Sequence, residues 1–150
     1  MLSARLIQMI EDHWQPVGAR FLRQIRSAAE LPQMQTLPDS ELLDRAHSVV
    51  RNLGHWLTSS HKDWGSYYEN LGRTRRHEGI PLCEVVRALQ ILKDTIVDFV
   101  RDQGFGKTSV DLYAEEELEH LISRCFDQAV FHVVHGYEAA EQPVSRRAAV

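Results

Sequence analysis

Two stretches place potential metal ligands at helical spacing. Glu117-Leu118-Glu119-His120 is a Glu-x-x-His, and Asp44-Arg45-Ala46-His47 is a weaker counterpart. A dinuclear centre in a helical bundle needs such pairs on facing helices, plus two further carboxylates. Glu115, Glu116 and Glu119 crowd the first stretch, while the apolar stripe runs through Leu118 and Leu121. That stretch reads as a solvated face, and no metal is expected. His132 and His135 stand three apart, with Glu138 three later, a ridge that could chelate a metal or titrate near neutrality. It lacks a third strong ligand, so satisfied histidines are the plainer reading.

His61-Lys62-Asp63-Trp64-Gly65-Ser66 is similar to a histidine phosphotransfer motif, in which the phosphorylated His precedes Gly and Ser by four and five positions. Trp64 occupies the place where that motif has a Lys to neutralise phosphate. Gly104-Phe105-Gly106-Lys107-Thr108 mimics the end of a P-loop without its first Gly or a preceding strand. No Gly-x-Ser-x-Gly is present. The expectation is a protein that is not an enzyme, with no cofactor. The phosphotransfer or metal-binding helical bundle stays as a second alternative function.

The chain has 150 residues, the size of one domain, long enough to bury about 68–70% of its unfolded surface. Its formal net charge is −4, which argues against a nucleic-acid partner. The run Arg73-Thr74-Arg75-Arg76 is basic, but Glu69 and Glu78 flank it. Cys83 and Cys125 form no CxxC and suit reduced thiols. Met1-Leu2-Ser3-Ala4-Arg5 does not open a signal peptide, and no apolar run is long enough for a membrane span. The expected location is therefore cytoplasmic.

Eight Gly and five Pro are few, and hydrophobic spacing is helical throughout. The class is all-α, with five or six helices. Leu2 to Trp14 and Val17 to Ala28 form two helices, or one kinked at Pro16. Residues 30–38 form a linker with two prolines. Asp39 or Ser40 caps a helix whose stripe runs Leu42, Ala46, Val49, Val50, Leu53, Trp56 and Leu57. A third carries Trp64, Tyr67, Tyr68 and Leu71 and stops at Gly79. A fourth opens at Pro81 and ends at Gly104 and Gly106. The last, long helix runs from about Ser109 to Glu141. One of its faces is small (Cys125, Ala129, Gly136, Ala140), and an adjoining face is bulky (Leu121, Phe126, Val130, Val133, Tyr137). Residues 1–141 make the domain, and 142–150 form a flexible tail or the start of a linker.

One segment is more specific. Leu71-Gly72-Arg73, then Gly79-Ile80-Pro81-Leu82 and an amphipathic helix, resembles the N-terminal domain of RsbR-type regulators, the RsbT co-antagonists of the bacterial stressosome. The likeness is strong over residues 64–101. It implies a globin-like, non-haem, homodimeric sensor domain placed before an output module such as a STAS domain or a kinase. These 150 residues hold no such module, so a partner or a longer parent chain is implied. The same stretch is similar to globin-coupled oxygen sensors, with Gly72 and Gly79-Ile80 in their places. Arg75 then stands where those sensors carry the haem-ligating His. A guanidinium has no lone pair for iron. A haem- or tetrapyrrole-binding sensor is the first alternative function.

Helical geometry puts Arg75 on the apolar face with Tyr68 and Leu71, because four residues turn only about 40° net. His77 points elsewhere. Arg75 either packs its stem there and pairs with a carboxylate such as Glu78 or Glu84, or clamps an anionic ligand beside Tyr68 and Leu71. The small residues Cys125, Ala129, Gly136 and Ala140, with Val133, let another helix approach closely. Either a second copy or the chain's own core meets them.

Overall fold

In a computed structural model, residues 3–59, 61–103 and 108–148 are described, with side chains for 3–59, 64–103 and 108–140. The described residues contain seven α-helices, one 3-10 turn and no strand. The helices are α1 (Ala4–Asp12), α2 (Trp14–Ser27), α3 (Asp39–Arg51), α4 (Leu53–Thr58), α5 (His61–His77), α6 (Leu82–Asp102) and α7 (Ser109–Ala148). The all-α class holds, and the arrangement is consistent with a globin-like bundle ending in a long helix. There is one helix more than expected, because the stripe from Leu42 to Leu57 is broken at Asn52.

Each break has a local cause. α1 ends at His13, and Pro16 lies in the first turn of α2. A missing N–H there costs no helical hydrogen bond, so the proline follows the kink instead of sitting at it. At the second break, Glu11 of α1 accepts a hydrogen bond from the Gly54 N–H at 3.1 Å, satisfying an orphan donor at the start of α4. The α3 cap differs from expectation. Pro38 is the N-cap, no side chain caps, and Asp39 and Glu41 sit in the first turn, where they favour the helix dipole.

The prolyl segment 30–38 is a packed strap. Leu31 and Met34 are buried, around the 3-10 turn Met34–Thr36. Arg26 donates to the Leu37 carbonyl at 2.7 Å. Buried Glu84 accepts the N–H groups of Gln33 and Met34 at 2.9 and 3.1 Å. That is where Glu84 spends its charge, and it does not pair with Arg75.

α5 ends in a Schellman motif. The Ile80 N–H bonds to the Arg75 carbonyl and the Gly79 N–H to the Arg76 carbonyl, with Gly79 at φ +75°. Ile80 follows, buried, and Pro81 caps α6. α5 and α7 form the most extensive helix pair. The helical backbone of α7 runs to Ala148, past the expected end at Glu141.

Candidate functional site

α5 has two working faces. On one, Tyr68, Leu71 and Arg75 line a cavity of about 50 Å³. Phe21 of α2, Leu42, Ala46 and Val49 of α3, and Val85, Ala88 and Leu89 of α6 close it. The three residues singled out as ligand-binding candidates therefore share one space. All are buried, whereas His77 is exposed. The cavity admits a few waters and falls far short of the roughly 300 Å³ where small-molecule pockets begin. A tetrapyrrole does not fit it in this conformation, and Arg75, which lines it, has no lone pair to give iron.

The Arg75 side chain is 3% exposed, and its Nη1 donates to Glu78 Oε1 at 2.9 Å and to Glu41 Oε1 at 3.1 Å. Glu78 is the pairing partner expected from the sequence. Glu41, on α3, is the one that spacing did not show. Glu41 and Glu78 are 38% and 30% exposed, so the arginine is desolvated while its partners stay wet. Arg45 borders the same cavity, donates to the Tyr67 hydroxyl at 3.0 Å, and stacks its guanidinium over the Tyr67 ring.

An adjoining face of α5 meets α7 without side chains between them. A Cβ on Gly72 would overlap the Val133 carbonyl oxygen and lie 2.9 Å from the Tyr137 nitrogen. A Cβ on Gly136 would overlap the Glu69 carbonyl. The two glycines thus let the backbones touch, one from each helix. Beside them, Tyr137 donates its hydroxyl to the Ile80 carbonyl at 2.8 Å, tying α7 to the turn after α5.

Glu117 and His47, from the two Glu-x-x-His-like stretches, have structural partners. Glu117 accepts a hydrogen bond from Ser3 at 2.8 Å, and His120 is exposed. His47 packs edge-on against Trp14, and burial lowers its pKa. No group of three or more potential metal ligands exists among the described residues. Gly104-Phe105-Gly106-Lys107 and the side chains of His61, Lys62 and Asp63 lie outside them, as do the side chains of residues 142–150.

His132 and His135 pair with Glu69 of α5 through their Nδ1 atoms, at 3.3 and 3.1 Å, and not with Glu138. Those hydrogen bonds hold the Glu69 carboxyl below its ordinary value. A depressed folded-state pKa stabilises the protein above the unfolded value and loses that contribution as pH falls through the folded one. The melting-temperature gap between wild type and Glu69→Gln is therefore expected to close on acidification below about 4.5. A gap that widens towards low pH would contradict this assignment.

A family model described as the RsbT co-antagonist protein rsbRD N-terminal domain matches residues 16–150. The chain belongs to this family. No curated protein and no solved structure matches it. Each residue of the segment that suggested an RsbR-type domain has a physical task. Leu71 faces the cavity, and Gly72 seats α5 on α7. Arg73 donates to Asn70 at 2.8 Å on the outer face. Gly79 takes the left-handed conformation that ends α5. Pro81 and half-buried Leu82 start α6.

In this RsbRD N-terminal domain, the small-residue seam is occupied within the chain. Ala129, Val133 and Gly136 are buried, Gly136 directly against α5, while Cys125 and Ala140 are half-buried. Among the described residues, no helix is long and apolar enough to cross a membrane.

Proposed function

We propose that this domain is a non-catalytic sensor and dimerisation domain of stressosome-type signalling, passing its signal through α7 to an output domain or partner of the STAS or kinase kind. One observation carries the reading: a single helix, α5, is both the wall of the internal cavity and the backbone-to-backbone neighbour of α7. Whatever displaces Tyr68, Leu71 or Arg75 moves α5. α7 then has to follow, because the two glycine contacts have no side chains to absorb the shift. Family membership supports the regulatory setting.

The test enlarges the cavity from the α5 side. Leu71→Ala is expected to speed amide hydrogen exchange in residues 129–140 of α7 more than in α2. Unchanged exchange in α7 would remove the relay. The homodimer belongs to the same proposal, with its surface on the outer side of α7, where Phe131 is 65% exposed. Sedimentation at micromolar concentration is expected to give twice 17.3 kDa, and a monomer would remove dimerisation. Haem added to the purified protein is expected to keep the spectrum of unligated haem. A sharp ligated Soret band would revive the haem alternative.

A further inference from the structure

Size and charge decide what the internal cavity can hold. Native interiors leave few voids larger than a water, yet about 50 Å³ stays open here. Ala46 of α3 and Ala88 of α6 line it with single methyl groups, where a larger side chain would fill the space. Around them stand Phe21, Leu42, Val85 and Leu89, whose side chains carry no polar atom. An apolar cavity of about 150 Å³ stays dry and takes one benzene, so a third of that space suits about two or three non-hydrogen atoms. Among the described lining residues, Arg45 and Arg75 carry the only charges, and both belong to a balanced cluster. Arg75 pairs with Glu41 and Glu78, and Arg45 Nε lies 3.9 Å from the same Glu41 Oε1. Two cations thus face two carboxylates. An anionic guest would bring an uncompensated charge into a buried space, and a cationic one would meet two guanidiniums.

We propose that this cavity binds one uncharged, apolar molecule of about two or three non-hydrogen atoms, a dissolved diatomic gas or an ethene-sized volatile, held by van der Waals contact. This names the ligand class for the sensor reading and rests on that reading only for what occupancy does to α7.

Xenon and ethene are the probes, and formate is the charged molecule of matching size. The readout is the methyl resonances of Val49, Leu71, Val85 and Leu89 in ¹³C-labelled protein, with exposed Val110 and Leu112 as controls for unspecific contact. Rising xenon or ethene pressure is expected to shift the cavity methyls saturably and the controls without saturation. Formate at the same free concentration is expected to leave them all unmoved. Intermolecular NOEs from the ethene protons are expected at the cavity methyls, which locates the guest in the wild type without any substitution. Ala46→Val and Ala88→Val fill the space from two different helices, and each is expected to weaken ethene binding at least about tenfold. No saturable shift under xenon or ethene overturns the proposal. NOEs confined to other methyls, or undiminished binding to either variant when folded, place the guest elsewhere and overturn it too. Formate moving the cavity methyls as strongly as ethene makes this an anion site and also overturns it. Saturable binding that leaves the α7 amides unmoved upholds the site and counts against the relay alone.

Discussion

Gly72→Val and Gly136→Val are each expected to cost about 3 kcal/mol or more, near the upper end for overpacking, because the new atoms meet backbone and not a movable side chain. For a chain of this size, that is a fall in melting temperature of roughly 6–12 °C. Gly79→Ala provides the comparison. A Cβ there meets nothing within 4 Å, and the cost is only that of a left-handed conformation, about 1–2 kcal/mol. Thermal unfolding of the three variants gives the order. If Gly79→Ala were the most damaging, the α5–α7 seam would not be the tight contact described. The seam substitutions should also prise α5 from α7, so they should disturb any response of α7 more than Gly79→Ala does.

Arg75→Ala is expected to cost about 2–3 kcal/mol, less than the 3–5 typical of breaking a fully buried ion pair. The reason is the asymmetry of the site. Arg75 is buried, but Glu41 and Glu78 are about a third exposed and can rehydrate when the guanidinium is gone. Much of the loss is therefore the packing of the arginine stem beside Leu71 and Tyr68, and Arg75→Met is expected to recover about half of it. Urea unfolding of the two variants measures the split. If methionine recovered nothing, the ion pair and not the stem would hold the site together. The same variants address the anion-clamp reading of Arg75. With Glu41 and Glu78 already on Nη1, an incoming anion would have to displace a carboxylate. Loss of stability in Arg75→Ala with ligand response intact would leave Arg75 as a structural residue.

The local features were largely legible in the sequence. Helical rotation alone puts Arg75 on the inner face and His77 outside, and both are so placed. Gly79 ends its helix as glycine does when a left-handed residue is needed. The features that were not legible depend on contacts across the fold. The break at Asn52 interrupts a stripe whose burial continues from Leu42 to Leu57, so hydrophobic period could not reveal it. Residues 30–38 look like a linker until Glu84, some fifty positions later, takes their N–H groups. Glu69 is separated from His132 and His135 by more than sixty residues, so their pairing has no spacing signature. The small residues of α7 signal close approach, but only the fold shows that α5 fills that space.

A relay from the cavity to α7 has to respond when the cavity changes and neither α5 nor α7 is substituted. Ala46→Val makes such a change from α3, adding about two methyl groups to a space of about 50 Å³ that, among the described residues, no α7 side chain lines. Backbone amide shifts of wild type and variant are compared by NMR. The expected result is perturbation of α5 together with the Val133–Tyr137 amides of α7, across the Gly72 contact. Perturbations confined to α2, α3, α5 and α6, with Val133–Tyr137 unmoved, would contradict it.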